Sequence, residues 1–206
     1  MIKKRSHFFI TVMLLLNSMI VYSQGYNSHW LLGYGNWATK GRMIFTDTSY
    51  TFNYESRAMR FQGTEATICD AQGNFLMSSN GVWIANGNND TMVNSTGLNP
   101  GSNVNSSPHG LINDYANIIL PFPGDSNKYV LFHHTDYFDG VSYPAYEVFY
   151  TIIDITLDSG LGGVISKNDT AFSDTLNWGI AACKHANGRD WWIIGNYAQT
   201  DHLISG

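Results

Sequence analysis

The chain consists of short apolar runs bounded by Gly, Asn, Asp and Ser, and this segmentation constrains its fold more than any other feature. Runs of roughly four to eight residues between turn formers are typical of β-strands, whereas a helix needs a longer stretch with a repeat of three to four residues. Such a helical repeat is hard to find beyond residue 23. The predicted strands are residues 42–45, 50–54, 66–69, 75–79, 82–85, 117–121, 128–133, 147–155, 181–184 and 190–194, and the longer segments 86–115 and 158–178 are predicted to be loops.

Three of the predicted strand pairs share one plan, in which a turn that contains glycine joins two apolar strands. The turn glycines are Gly73, Gly124 and Gly188, and they lie 51 and 64 residues apart. Glycine adopts the positive φ that tight hairpins often require, and repeats of about 40 to 50 residues are typical of propeller blades. We therefore predict an all-β fold, a partial β-propeller-like array of antiparallel blades, with a β-sandwich as the alternative.

The first 23 residues have the order of a secretory signal peptide. Basic residues at positions 3–5 precede an apolar run over residues 8–21, and Val21 and Ser23 occupy the −3 and −1 positions of a cleavage site. The run is shorter than the roughly 18 apolar residues that mark a membrane-spanning helix. We therefore expect an exported protein, secreted or held at the outer cell surface, with Gln24 at its mature N-terminus.

Cleavage at this position makes the chain more acidic. The formal charge of −5 becomes −8, because the first 23 residues hold three basic side chains and no acidic one. An acidic surface disfavours nucleic acid and disfavours polybasic contact with a membrane. We accordingly expect one domain over residues 24–206, no nucleic-acid partner, and no membrane insertion after signal cleavage.

Cys69 and Cys183 are the two cysteines, which are too few for a disulfide framework. An exported compartment permits them to pair, provided that their Cα atoms lie within about 7 Å of each other. Two buried free thiols are the preferred interpretation. The disulfide is the alternative.

Three segments carry a resemblance to a known family. SDTLNWGIAACKHANGRDWWIIG (residues 173–195) is the most specific, and it follows a Gly-Leu-Gly motif at residues 160–162. The others are ATICDAQGNFLMSSNGVWIANGN (residues 66–88) and NIILPFPGDSNKYVLFHH (residues 117–134). Together they resemble the N-terminal propeller-like region of exported proteins that carry a sorting domain of the type IX secretion system. The similarity covers residues 32–206, and Cys69 and the His133-His134 pair depart from the family pattern.

This resemblance implies a propeller-like module of a surface or secreted protein, normally followed by adhesion-type domains and a C-terminal sorting domain. It carries no catalytic residues that could be transferred to this chain. Closed propellers have about four to eight blades, whereas this sequence shows three repeat hairpins. We therefore expect an incomplete propeller, truncated at its C-terminus.

The densest group of possible metal ligands lies in the segment HHTDYFDG, where His133, Asp136 and Asp139 are the weak candidates. Imidazole and carboxylate groups are ligands that zinc accepts. Adjacent histidines on a strand point to opposite faces, so only one of His133 and His134 can join Asp136 without a bulge. The preferred interpretation is a solvated strand end without a metal, and we expect no cofactor.

Other polar clusters are interpreted as turns. Residues 187–190 match a hairpin turn braced by Arg189 and Asp190, and residues 86–90 match a capped turn better than a calcium loop. The acids Glu65, Asp70, Asp136 and Glu147 show no spacing that favours a catalytic pair.

Three classes of function stay open at this point. The leading hypothesis is a noncatalytic module that binds a carbohydrate, a matrix polymer or a protein. A secreted hydrolase, such as a glycoside hydrolase on a propeller scaffold, predicts acids that converge within about 5 to 10 Å in one cleft. A structural spacer predicts no pocket. The positions of Asp136, Asp139, His109, His133 and His185 are expected to separate these classes.

Overall fold

The computed structural model describes residues 25–34, 39–107, 109–135, 137, 145–197 and 203–205. The predicted signal peptide and two of the metal candidates, Asp136 and Asp139, lie outside the described residues. Within the described residues, no helix is long and apolar enough to span a membrane.

Antiparallel strands dominate the described chain. The strands are β1 (His29–Leu32), β2 (Thr39–Phe45), β3 (Tyr50–Ser56), β4 (Ala66–Cys69), β5 (Phe75–Ser79), β6 (Ile84–Asn86), β7 (Asn117–Pro121), β8 (Lys128–His133), β9 (Ala145–Asp154), β10 (Gly163–Lys184), β11 (Trp191–Tyr197) and β12 (Leu203–Ser205). The helical elements are short: α1 (Ser102–Ser106) and two 3₁₀ turns at Gly25–Asn27 and Asp158–Gly160. The prediction of an all-β chain is confirmed.

The strands form three sheets, and each sheet joins strands that follow one another in sequence. The orders are β1-β2-β3, β4-β5-β6 and β12-β11-β10-β9-β8-β7. The three predicted hairpins are confirmed as β4–β5, β7–β8 and β10–β11. Their turn glycines, Gly73, Gly124 and Gly188, have φ values of 88°, 79° and 72°, a region that other L-residues rarely adopt.

The prediction of a loop over residues 158–178 was wrong. Apart from the 3₁₀ turn at Asp158–Gly160, most of this segment belongs to β10, which pairs first with β9 and then with β11. Register shifts interrupt the β9–β10 ladder at several places, including between Ser166 and Asp169. Bulges break the two-residue alternation of apolar side chains that marks a strand in sequence, and the many Ser, Thr, Asn and Asp side chains here are typical of loops.

The sheets pack face to face in chain order. Leu31 of the first sheet packs with Ala85 and Phe75 of the second. On the opposite face of the second sheet, Ile68 and Met77 pack against Leu131 of the third. Side chains on successive strand positions point to opposite faces, so strands β7 to β9 are covered on both sides.

The six-stranded sheet curls so that β10 and β11 approach its edge strand β7. The amide of Ile180 donates to the carbonyl of Tyr115 at 3.0 Å. The indole Nε1 of Trp191 donates to the carbonyl of Pro121 at 3.1 Å. Ile193 of β11 therefore packs on Leu120 and Val130, on the face of β7 and β8 that points away from the second sheet.

The cysteines are both free, and only one of them is buried. Cys69 lies in the core at the end of β4, as expected, whereas Cys183 on β10 is exposed. The prediction of a buried thiol was therefore wrong for Cys183. The strand that carries it has one face turned to solvent, which an apolar run of four residues does not reveal.

Candidate functional site: a cleft beside Glu65

A cleft of about 490 Å³ lies between β4 and β7 and is bounded by β10 and β11. Backbone and apolar side chains of β4, β7 and β10 line its walls. Its other lining residues are three aromatic side chains and four that carry polar groups, namely Tyr26, Tyr115, Trp191, Asn27, Glu65, Thr67 and Asn117. Sites for small ligands typically enclose about 300 to 1,000 Å³ and combine apolar walls with a few polar groups.

Trp191 is held in a fixed orientation at one side of the cleft. It opens β11 directly after the hairpin turn, and its indole N–H is bonded to the Pro121 carbonyl at 3.1 Å. The ammonium group of Lys184 lies 4.1 Å from the centre of its ring. Such cation–π contact and the hydrogen bond restrict the rotation of the indole. The indole is therefore held in one orientation, with the Lys184 ammonium over one of its faces.

Tyr115 lines the cleft with a strained backbone. Its φ is 54°, in the left-handed region that side chains other than Gly, Asn and Asp rarely adopt. The hydrogen bond from Ile180 N to its carbonyl holds this conformation. Its side chain is exposed. A bulky residue kept in this region points to a functional position, because such strain is retained mainly where surrounding structure and function demand it.

Glu65 is an acid with a strongly altered pKa within the cleft. It directly precedes β4, and Thr67 Oγ1 donates to its Oε1 at 3.3 Å. The side chain is exposed, yet partial burial of the carboxylate raises its pKa to about 7, against the lowering effects of the Thr67 hydroxyl, the Arg57 charge and a hydrogen bond from the Leu31 amide. Near neutral pH Glu65 therefore exists in both protonation states and can donate or accept a hydrogen bond.

His133 belongs to a buried polar network instead of a solvated strand end. Its ring nitrogens lie 2.8 Å from Asn99 Oδ1 and 2.9 Å from Thr151 Oγ1. Asn99 Oδ1 can only accept, so Nδ1 carries the proton and Nε2 accepts from the Thr151 hydroxyl. Burial, reinforced by the neighbouring His134, lowers the pKa of His133 to about 3. Both nitrogens are used, so neither is free to bind a metal.

His134 is also buried, which overturns the prediction of a solvated strand end for both histidines. Its backbone amide is bonded to the Ala116 carbonyl, but neither ring nitrogen has a hydrogen-bond partner within the described part of the chain. Burial lowers its pKa to about 4. Thr135 Oγ1 and the side-chain amide of Asn113 are likewise buried without a partner. The physical reason is that the strand end lies beneath the segment preceding β7, a contact that local sequence does not show.

The metal-ligand role considered for Asp136 and Asp139 stays a prediction. Asp136 and Asp139 lie outside the described residues. His109 is exposed, and His185 packs on Trp192 in the β10–β11 hairpin with 5.2 Å between the ring centres. Among the described residues, no group of three or more His, Cys, Asp and Glu side chains is arranged to hold a metal ion.

The polar turns match their predicted roles. Asn187 Oδ1 accepts from the amides of Arg189 and Asp190, and the exposed Arg189 and Asp190 side chains pair at 2.8 Å. This contact with Arg189, together with Asn187, lowers the pKa of Asp190 to about 2. In the turn after β6, Asn86 Oδ1 accepts from the amides of residues 88 and 90. Both turns are local braces.

Sequence reasoning considered Glu65 but could not single it out. Of the other acids considered with it, Asp70 accepts backbone amides in the β4–β5 turn, and Glu147 lies on β9. Nothing in the sequence distinguishes these three carboxylates. The raised pKa of Glu65 arises from burial in the folded state, which the order of residues around it does not show.

No protein-family model matches this chain, and neither a curated protein nor a solved structure matches it significantly.

Proposed function

We infer that the chain is a noncatalytic binding module and that the cleft beside Glu65 takes a carbohydrate. The observation that carries this proposal is the combination of a fixed indole, Trp191, with a strained tyrosine, Tyr115, around one polar recess. A sugar ring has an apolar C–H face and a rim of hydroxyl groups. Aromatic side chains with an apolar body suit the face, and amide, hydroxyl and carboxyl groups suit the rim.

The polar groups of the cleft match a ligand with mixed donors and acceptors. Asn27 and Thr67 contribute neutral donors and acceptors, and Glu65 contributes either an O–H or a carboxylate. A negatively charged ligand would meet the Glu65 carboxylate and an acidic chain with a formal charge of −5. The site therefore favours a neutral or cationic sugar over an acidic one.

The sheet order and the sequence resemblance support a proposal for the wider setting of this module. Three antiparallel meanders stack in chain order, as blades do in a propeller. They are the first sheet, the second sheet, and strands β7 to β9 with the first half of β10. We take them as propeller-like blades of an exported or cell-surface protein. The resemblance to the N-terminal regions of type IX secretion substrates supports the same placement.

The proposal is tested by calorimetric titration of the protein with soluble neutral oligosaccharides, including gluco-, manno-, xylo- and chito-oligosaccharides. Tyr115→Ser should weaken binding by about tenfold or more, because a stacked aromatic anchor contributes on the order of 1 to 2 kcal/mol. Tyr146→Ser removes an exposed tyrosine of β9 that does not line the cleft and should leave affinity unchanged. Absence of binding across this series, or equal effects of the two substitutions, would contradict the proposal.

A secreted hydrolase is a second candidate, favoured by the Glu65 pKa of about 7. A carboxyl group that stays protonated near neutral pH is suited to act as a general acid. Among the described residues that line the cleft, Glu65 is the one acid, whereas most glycoside hydrolases use two. Chromatography of oligosaccharides incubated with the protein decides between the candidates. Product that disappears with Glu65→Gln would establish the hydrolase, and binding without product supports the noncatalytic module.

A further inference from the structure

One face of the first sheet is aromatic and bare. The register pairs Trp30 with Met43 and Met43 with Phe52, so these three side chains form one row across the sheet. Partners that lie opposite each other in an antiparallel pair point to the same side. The aromatic face therefore contains Trp30, Leu32, Met43, Phe45, Tyr50, Phe52 and Tyr54.

The exposed apolar area of this face is comparable to the largest patch on a typical monomer, about 300 to 600 Å², which is often functional. The exposed fractions are 74% for Tyr54, 63% for Tyr50, 53% for Trp30, 45% for Phe52 and 37% for Leu32. With about 150 to 250 Å² for each aromatic side chain, these residues present roughly 500 Å² of mostly apolar surface. Apolar patches of that size on a soluble monomer typically mark an interaction site.

The first sheet carries its charged side chains on the face towards the protein and its aromatic side chains on the face towards solvent, the reverse of the usual distribution. The face turned towards the second sheet carries Arg42 and Glu55, paired at 2.8 Å. Arg42 also lies over the Phe75 ring of β5, 4.3 Å from its centre. In an antiparallel sheet with one face on the core, charged side chains face water and aromatic ones face the core. Here the ion pair faces the protein and the rings face solvent, so the outer face has the composition of an interface.

The occupant must offer an apolar surface and little charge. Among the described residues of β1 to β3, the aromatic face holds no charged side chain, since Lys40, Arg42 and Glu55 all occupy the other register positions. A second copy of this chain presents the same uncharged surface, and a two-fold axis would bring the two faces together without burying a charge. Two such faces would bury roughly 1,000 Å² or more, which is at the lower limit of a specific protein–protein interface.

We propose that two copies of this chain associate face to face through the aromatic face of the first sheet. The interface is isologous, with Phe52 and Met43 at its centre and the Tyr50 and Tyr54 rings on the partner's rings. This association goes beyond the proposed carbohydrate site and does not depend on it, because none of the cleft residues belongs to the aromatic face.

Sedimentation velocity over a hundredfold range of protein concentration tests the proposal. The wild type should shift from monomer to dimer. Phe52→Ser combined with Tyr54→Ser should weaken dimerisation by about tenfold or more, as expected for central aromatic anchors. Tyr146→Ser, on β9 outside this face, should leave it unchanged. Circular dichroism should show the same sheet content for all variants, since the changed side chains are exposed.

Phe52→Arg provides an independent variant, because it places a like charge on each copy at the centre of the contact and should abolish the dimer. A protein that stays monomeric at all concentrations would overturn the proposal. A dimer that survives both the serine and the arginine substitutions would also overturn it and would point to edge-to-edge strand pairing. The same holds for an aromatic-face variant that loses oligosaccharide binding while the dimer persists. Glu65→Gln should leave the dimer intact, so that failure of the carbohydrate site and failure of the dimer are separate results.

Discussion

The central strands β7 to β9 and the first sheet β1 to β3 are both antiparallel meanders, yet they differ in how many of their faces are covered. On β8, Leu131 packs against the second sheet and Val130 packs against β11. On the first sheet, Leu31 is covered, whereas its neighbour Trp30 is exposed. The first sheet lies at the end of the stack, so among the described residues only the face that carries Leu31 packs against another sheet.

This difference shows what the apolar pattern of a strand encodes. The near-continuous run of β8, KYVLFH, fits a strand buried on both faces. The alternation in β3, YTFNYES, fits a strand with one apolar face. The sequence pattern does not specify which face meets the protein, and in β3 the aromatic set points away from it.

The largest expected effect is on the acid stability of the central strands. His133 and His134 have pKa values near 3 and 4 in the folded protein, below the ordinary 6.5, so the unfolded chain binds their protons more tightly. Their contribution to the free energy of unfolding is complete above about pH 6.5 and is lost as the pH falls towards 4. The loss from the two histidines together is on the order of 5 kcal/mol. Urea unfolding at a series of pH values measures this slope.

The exposed His109 and half-buried His185 provide the matched control for this titration. Replacing either with Asn should leave the slope unchanged, because no buried imidazole is removed. A free energy of unfolding that stays constant or rises between about pH 6.5 and pH 4.5 would show that the end of β8 is solvated, contrary to its burial in the structure.

Truncation of a leucine distinguishes a strand covered on both faces from one with a bare face. Leu131→Ala on β8 should lower the free energy of unfolding by about 3 kcal/mol, because it leaves a cavity in a core without solvent access. Leu32→Ala on the aromatic face should cost less than about 1 kcal/mol in the monomer. Thermal unfolding at low protein concentration compares them, and equal losses would mean that the aromatic face is covered within one chain.

Substitution of Trp191 tests whether β11 contributes to the packing that buries the central strands β7 to β9. Trp191→Ala should destabilise the protein by roughly 2 kcal/mol, since the indole is partly buried and bonded to Pro121. Arg189→Ala, two residues earlier, removes only an exposed contact with Asp190 and should have a much smaller effect on stability. A greater loss from Arg189→Ala would indicate that the hairpin turn belongs to a buried network.

The smallest effect is expected at Glu65, and its pH dependence has the opposite sign to that of the histidines. Its folded pKa of about 7 lies above the ordinary 4.5, so its contribution favours folding at low pH and is lost as the pH rises through 7. Glu65→Gln should therefore raise stability at about pH 8 and have less effect at about pH 5. Stabilisation that is the same at both pH values would contradict the desolvation of this carboxylate.

Much of the strand and hairpin pattern could be predicted from sequence, because apolar runs and turn formers determine it locally. The three glycine hairpins and the strands β4, β5, β7 and β8 lie where apolar runs and turn formers placed them. The part of β10 that precedes the predicted strand at residues 181–184 was missed, because its bulges and polar side chains resemble a loop. The cleft, the burial of His134 and the bare aromatic face depend on segments far apart in the sequence, so no local pattern indicated them.

The difference between the two regions is tested most directly by hydrogen–deuterium exchange of the wild type, followed by mass spectrometry at low and high protein concentration. We predict slow exchange of β8 and β9 amides at both concentrations, and faster exchange of β1 to β3 amides that slows at high concentration as the aromatic face is covered. The account would be contradicted if, at low concentration, the amides of β1 to β3 were as well protected as those of β8 and β9, and if their protection did not change with concentration.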